Sequence, residues 1–145
     1  MKYIFLLFSL VVFNQSINAQ EEERFDRIEA ILVAHITKAL DLSKEEAEKF
    51  WPIFNAFSKK EFELRTSQRK LVKSLNAKME TITDKEITDF NSKLDKLRDD
   101  LYKNENDLYK QLKGVILDKK ILKLKIAREN FQKHLLHKLR HKRRG

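Results

Sequence analysis

The sequence contains no cysteine, one proline and two glycines among its 145 residues. Without cysteine the chain forms no disulfide and offers no thiolate ligand to a metal. Glycine occurs only at positions 114 and 145, so there is no glycine-rich phosphate-binding loop and little punctuation for tight turns. These absences disfavour β-hairpins and barrels, and they favour helices.

Signals of catalysis are also lacking. There is no cysteine nucleophile, and the serines occupy cap-like or polar helix positions without a paired histidine nearby in the sequence. The abundant carboxylates are typical of solvated helix faces. We therefore expect a non-enzymatic protein without a cofactor.

What is present is charge mixed with apolar residues. Charged residues make up 37% and apolar residues 41% of the chain. This apolar content is too high for simple disorder, and the mixture is typical of long, solvent-exposed helices. We predict an all-α protein, an elongated helical hairpin of about four helices.

Residues 1–19 have the composition of a signal peptide. Lys2 is followed by a mostly apolar run from Ile4 to Phe13, and the segment ends with Ala19. The run has roughly half the ~20 residues that a membrane span needs. We predict cleavage after Ala19 and export to the periplasm, leaving 20–145 as one helical domain; an uncleaved anchor is the alternative. With no cysteine after the run, a lipoprotein is excluded.

Apolar residues at spacings of three and four predict the helices. The first covers about residues 22–39. The second starts at Ser43, which forms a Ser-x-x-Glu capping box with Glu46. Its apolar stripe continues to Met79, for a length of about 37 residues or roughly 55 Å. Pro52 lies inside this helix and predicts a kink. Its stripe comprises Phe50, Ile53, Phe54, Phe57, Leu64, Leu71, Leu75 and Met79.

A second capping box, Thr83 with Glu86, predicts the start of a third helix, which Gly114 closes. Its apolar residues alternate at three and four, the pattern of an antiparallel hairpin or coiled coil. Asn104 interrupts that stripe, and Glu61 and Gln68 interrupt the preceding one. We interpret the three as exposed where the hairpin widens, rather than as a polar layer.

Asp118 is the predicted cap of a fourth helix. Its predicted stripe is Ile121, Leu122, Ile126, Phe131, Leu135 and Leu139, and about residues 137–145 should fray. A hairpin this long is too thin to bury its apolar stripe alone. The first and fourth helices must cover it, or a second copy must, and we expect a homodimer.

Two stretches resemble one known family. Leu40-Asp41-Leu42-Ser43-Lys44-Glu45-Glu46-Ala47 runs into Phe50-Trp51-Pro52, and Ile116-Leu117-Asp118-Lys119-Lys120-Ile121 runs into Ala127-Arg128-Glu129-Asn130-Phe131. Across about residues 24–140 the chain resembles the Spy/CpxP group of small periplasmic proteins, which includes sensors linked to extracytoplasmic (ECF-type) sigma factors. That group carries two Leu-Thr-x-x-Gln motifs, each opening a helix. Here Ser43 and Asp118 replace Thr, and Glu46 and Ile121 replace Gln.

The resemblance implies a four-helix hairpin that dimerises into a cradle. It also implies a role in envelope stress, either by binding a signalling protein or by ATP-independent chaperoning of unfolded clients. We favour a sensor or regulator. A purely structural coiled-coil spacer is a further alternative.

Three histidines suggest a different hypothesis, a heavy-metal sensor or scavenger. His134, His137 and His141 lie at i, i+3 and i+7, so they share one helix face that can hold Zn²⁺ or Ni²⁺. Lys and Arg residues surround them, however, and disfavour cation binding. A basic helical tail is the interpretation that we favour.

The chain is strongly polarised in charge. Residues 119–145 hold eleven Lys or Arg and one acid, while the formal net charge of the whole chain is +9. Export makes nucleic acid an improbable partner, which leaves an acidic protein, an unfolded client or an anionic membrane surface. The candidate partner-binding residues are Lys119, Lys123, Arg128 and Lys133, with Trp51 and Phe62 off the centre of the second stripe.

Overall fold

The computed structural model describes residue 23 and residues 25–142, without the side chains of 136 and 138–142. The predicted signal peptide with Ala19, the last three residues and the side chain of His141 lie outside the described residues. Four helices and no β-strand occur in this described part, which confirms the all-α prediction. They are α1 (residues 25–40), α2 (Lys44–Asn76), α3 (Asp84–Leu112) and α4 (Asp118–Lys142).

Helix α2 begins at the predicted capping box. The Ser43 hydroxyl accepts the Glu46 backbone N–H, and the Glu46 carboxylate accepts the Ser43 N–H at 2.9 Å. Two of the backbone donors left free at the helix start are thereby satisfied. The helix runs through Pro52 and ends at Asn76, so the prediction that it extends to Met79 is wrong. Met79 lies in the following turn and is 55% exposed.

Helix α3 repeats the same device. Thr83 and Glu86 form the second capping box, as predicted. The Lys78 ammonium lies 3.4 Å from the Glu86 carboxylate across the turn, and Asn104 Nδ2 donates to the Phe57 carbonyl at 3.1 Å. A residue that follows α2 in the turn thus pairs with an early residue of α3, and an earlier residue of α2 pairs with a late residue of α3. This order shows that α2 and α3 form an antiparallel hairpin.

The Asn104 contact changes one interpretation. Asn104 is partly buried and bridges the two helices, whereas the sequence suggested an exposed residue. Its amide finds a partner because the Phe57 carbonyl can accept a second hydrogen bond alongside its helical one. This polar residue therefore joins the helices instead of marking a gap between them.

Helix α3 ends where Gly114 predicts. Gly114 adopts φ +81°, a conformation that costs glycine little and other residues more. Helix α4 then starts one residue earlier than expected, because the Leu117 carbonyl accepts from the N–H groups of Lys120 and Ile121. Leu117 thus holds the cap position, and Asp118 lies in the first turn, where its charge suits the helix dipole. The helix extends to Lys142, and fraying of about residues 137–145 stays a prediction.

The chain divides into two compact units where the sequence suggested one domain. The second unit is Asp41–Lys125, and the first combines Met1–Leu40 with Ile126–Gly145. In the described part of the first unit, buried residues come from α1 and from the later part of α4. They are Ile36, Leu40, Ala127, Arg128 and Phe131.

The core of the second unit lies at one end of the hairpin. It contains Phe50, Phe54, Phe57, Ser58, Leu64, Leu108, Leu112, Ile116, Ile121 and Leu124. We call residues 44–64 and 108–112 the hairpin base and residues 65–107 the outer segment. No residue of the outer segment is buried. Its apolar stripe, including Leu71, Leu75 and Leu94, is only half-buried.

Among the described residues, no helix combines the length and apolar character required to cross a membrane.

Candidate surface for a binding partner

Exposed leucines and lysines occur close together in the sequence at the start of α4. Leu117 is 68% and Leu122 is 58% exposed, and the side chains of Lys119 and Lys123 are exposed as well. Within α4, the three residues 119, 122 and 123 share an arc of about 100°. We call Lys119, Leu122 and Lys123 the α4 patch.

The other side of the same two turns packs into the second unit. Ile121 and Leu124 are buried there, so the α4 patch is the outward surface of an amphipathic segment. The predicted stripe was therefore partly wrong, because it included Leu122 and Ile126, which are 58% and 51% exposed. Both residues lie on the side of α4 that faces solvent, because the buried residues next to them in the sequence occupy the packed side.

The two remaining predicted cations of α4 differ in burial. Lys133 is exposed and its ammonium lies 2.8 Å from the Glu129 carboxylate, one turn earlier. That hydrogen bond is the main reason that the pKa of Glu129 is lowered. Arg128 is only 7% exposed and packs within the first unit. Of the four predicted cations, Lys119, Lys123 and Lys133 are thus exposed, and the Arg128 side chain is not.

Trp51 belongs to an aromatic cluster at the hairpin base. Its ring meets those of Phe50 and Phe54 edge-on, with centroids 5.0 and 6.0 Å apart. Phe50 and Phe54 stack at 5.5 Å and are fully buried, whereas Trp51 is half-buried. Trp51 therefore forms the outer wall of the core, with part of its ring open to solvent.

Phe62 lies about two turns beyond Phe54 on α2 and is half-buried. The Arg69 guanidinium lies 6.0 Å from the centroid of its ring, at the outer limit for a cation–π contact. A second such contact places the Lys125 ammonium 4.3 Å from the Tyr109 ring. Phe62 thus faces a neighbouring cation of its own helix.

The starts of α2 and α4 are joined by a contact that the sequence did not reveal. Lys120 Nζ donates to Glu46 Oε2 at 2.6 Å and to the Asp41 carbonyl at 2.7 Å. Both side chains of the pair are about four-fifths buried, at 20% and 19% exposed. The hydrogen bond from Lys120 is the largest cause of the lowered pKa of Glu46, followed by the Ser43 N–H. Asp41 itself adopts φ +47°.

We call this contact of Lys120 with Glu46 and the Asp41 carbonyl the clasp. It lies next to the α4 patch, since Lys120 follows Lys119 directly. It also joins the two stretches that carry the family resemblance. The only sequence signal for this pair was that Glu46 lies at the start of one predicted helix and Lys120 lies at the start of another, 74 residues away. Nothing in a single sequence selects that pair among the many charges.

Two of the three predicted metal-ligating histidines have described side chains, so the three-histidine site stays a prediction. His134 and His137 are exposed on α4, and the side chain of His141 lies outside the described residues. Within the described part of the chain, no group of three His, Cys, Asp or Glu side chains is placed to hold a metal ion. The fourth histidine, His35, packs against Phe131 with ring centroids 6.0 Å apart.

The shifted carboxyl groups of the described residues share one chemical character. Their pKa values are all lowered, by cap hydrogen bonds or by ion pairs, so they remain charged near neutral pH. These groups are Glu45, Glu46, Glu86, Asp100 and Glu129. These permanent charges, together with the exposed apolar surface of the α4 patch, are suited to binding another molecule.

The sequence resemblance has no counterpart among the proteins compared. Comparison of the chain with family models, curated proteins and solved structures finds no match. Membership of the Spy/CpxP-like group therefore stays a prediction that depends on the two helix-opening motifs.

Proposed function

We propose that this protein is an exported, non-enzymatic binding protein of the envelope-stress type, which holds a partner polypeptide on the α4 patch. The observation that carries the proposal is Leu122, which is 58% exposed and lies between the exposed Lys119 and Lys123 on one arc of α4. Apolar side chains rimmed by charge on a packed scaffold are typical of protein-binding surfaces.

The charge of this surface indicates the kind of partner. Residues 119–145 are strongly basic, so an acidic polypeptide is attracted from a distance and its association weakens with salt. The buried faces of Ile121 and Leu124 hold the patch in place, so binding requires little ordering of this surface. A periplasmic regulator that binds one signalling protein has these properties. A chaperone for many clients uses the same chemistry with less selectivity.

We further propose that the protein is a homodimer. The outer segment leaves its apolar stripe half-buried in the described chain, and a second copy would cover it. Analytical ultracentrifugation at several concentrations measures the molecular mass. A monomer at all concentrations up to about 100 μM, a range in which weak dimers with micromolar Kd already form, contradicts this part of the proposal.

The binding function is tested by affinity capture. The exported protein serves as bait for envelope extract at low and at physiological salt, and mass spectrometry identifies what is retained. One dominant membrane signalling protein supports the regulatory function, whereas many unrelated unfolded clients support a chaperone. If the bait retains no protein, both the regulatory and the chaperone function are contradicted.

Substitutions locate the surface. We expect Leu122→Ser with Lys119→Gln and Lys123→Gln to lower capture at least tenfold. The control for the change in net charge is Lys93→Gln with Lys96→Gln, which removes two positive charges from α3 instead of from the α4 patch. Equal loss in both variants would show that general charge, and not the α4 patch, holds the partner.

A further inference from the structure

A second basic surface lies on the outer segment, away from the α4 patch. Residues 65–79 contain five Lys or Arg and no Asp or Glu. Arg69, Lys70 and Lys73 are exposed and share an arc of about 100° on α2. This arc is on the opposite side of the helix from Leu71 and Leu75. We call these three cations, together with Val72, the α2 basic face.

The charge of this face is not neutralised by its neighbours. Within the described residues, no carboxylate forms an ion pair with Arg69, Lys70 or Lys73. The Arg69 guanidinium donates to Thr66 Oγ1 at 2.8 Å and lies near the Phe62 ring, which leaves its charge intact. Arg65, by contrast, pairs with Glu61 at 2.6 Å. Three adjacent cations therefore face solvent without a counter-charge.

The outer segment has exposed apolar side chains, of which Val72 borders the cations. Val72 is 39% exposed, Met79 in the turn is 55% exposed, and Ile87 at the start of α3 is 42% exposed. Val72 lies in an open, shallow depression whose remaining lining residues are Gln68, Arg69, Lys73 and Asn76. The α2 basic face thus combines positive charge with one exposed apolar residue, Val72, in an open depression.

We propose that the α2 basic face binds the headgroups of anionic phospholipids, so that the outer segment docks on a membrane surface. Charge complementarity favours lipid as the occupant, because headgroups diffuse laterally to meet fixed cations, whereas an acidic polypeptide must match their spacing. Lysine and arginine stems can lie along apolar surface while their charges reach phosphates. Apolar residues flanked by such cations are typical of helices that lie at the membrane interface.

The test uses the absence of native cysteine, which allows labelling at one chosen site. A polarity-sensitive fluorophore is attached to Val72→Cys, and in a separate protein to Ser92→Cys on the outward side of α3. The full chain is mixed with vesicles of phosphatidylcholine alone or with one quarter phosphatidylglycerol. We expect a blue shift only at position 72 and only with the anionic vesicles. Binding through the basic C-terminal part or the N-terminal apolar run would not distinguish the two positions.

A matched pair of charge variants completes the test. Arg69→Gln, Lys70→Gln and Lys73→Gln, on the Val72→Cys background, should weaken the vesicle titration by about fivefold for each cation removed. Lys93→Gln, Lys96→Gln and Arg98→Gln on α3 remove the same net charge and should leave the titration within about twofold, because they lie on the neighbouring helix and not on the α2 basic face. Circular dichroism confirms that both variants remain helical.

Three results would overturn the proposal. They are equal loss in the two triple variants, equal shifts at positions 72 and 92, and no shift at position 72. A shift with polyglutamate but not with vesicles would assign the face to an acidic polypeptide instead. None of these results bears on capture by the α4 patch, which carries the separately proposed function.

Discussion

The hairpin base and the outer segment are made of the same two helices but differ in burial. In the base, Phe50 and Phe54 are fully buried, and other buried residues from α3 and α4 complete the core. In the outer segment no residue is buried. Two packed helices alone cannot enclose side chains, so burial is complete only where a third element covers them. The first turns of α4 provide that cover at the base.

The largest expected difference comes from truncating one apolar residue in each region. Phe54→Ala should lower the free energy of unfolding by about 3–5 kcal/mol, because it empties a fully buried site. Leu75→Ala removes a half-buried side chain and should cost about 1 kcal/mol. Urea unfolding followed by circular dichroism measures both. These values refer to the monomer, in which equal losses would show that the outer segment is as well packed as the base. At concentrations at which the proposed dimer forms, the cost of Leu75→Ala should rise towards that of Phe54→Ala.

The two capping boxes permit a matched comparison. Thr83→Ala removes the acceptor for the Glu86 N–H, and Ser43→Ala removes the equivalent acceptor at the base. Loss of such a cap costs about 1 kcal/mol, up to about 2. Hydrogen exchange read by mass spectrometry should show faster exchange near residues 77–90 for Thr83→Ala, with the base unchanged. Faster exchange throughout the second unit would instead mean that the two regions open together.

Asn104 lies in the outer segment near its border with the base, and its hydrogen bond to Phe57 joins the two regions. Asn104→Ala removes the hydrogen bond to the Phe57 carbonyl and should cost about 1 kcal/mol. Asn91→Ala, at an exposed position of α3, is the control and should change stability by less than about 0.5 kcal/mol. The same urea titration compares them. Indistinguishable variants would mean that this bond contributes nothing to helix pairing.

The smallest expected effect is a pH dependence confined to the clasp. The pKa of Glu46 is lowered in the folded chain, chiefly by Lys120. Its stabilisation is therefore present above the ordinary glutamate pKa of about 4.3 and is lost as pH falls through the lower, folded pKa. Lys120→Met should flatten this part of the stability profile below about pH 4.5, where unfolded Glu46 starts to protonate.

A slope remains in that variant, because Glu45, Glu86, Asp100 and Glu129 also have lowered pKa values. Lys96→Met removes an ion pair of the outer segment, in which Lys96 Nζ lies 2.8 Å from Asp100. Both side chains of that pair are more exposed than those of the clasp, at 75% and 37%. Its effect on the profile should be smaller, and an equal effect would show that burial of the clasp does not matter.

Local rules predicted the helices well. Both capping boxes, the helix-ending Gly114 and the all-α class follow from residues three or four positions apart, whose interactions need no distant partner. The end of α2 was predicted too late, since Ala77 and Lys78 are good helix formers and Met79 stayed in phase with the stripe. No glycine or proline marks that end in the sequence.

The candidate surface was less predictable, because exposure depends on which neighbours cover a helix. Leu122 and Arg128 illustrate this, since the leucine is exposed and the arginine is buried. Hydrophobicity alone suggests the opposite for both. Lys119 and Lys123 could be identified from charge, but the exposure of Leu122 between them emerged only with the packed face of α4.

The clasp between Glu46 and Lys120 also has a consequence for folding kinetics. The turn between α2 and α3 is short, so their pairing closes a small loop and should form early. The clasp brings together groups 74 residues apart, and its loop-closure entropy is repaid only once the hairpin has formed. We therefore expect α4 to dock last, so that Lys120→Met accelerates unfolding and leaves the refolding rate nearly unchanged.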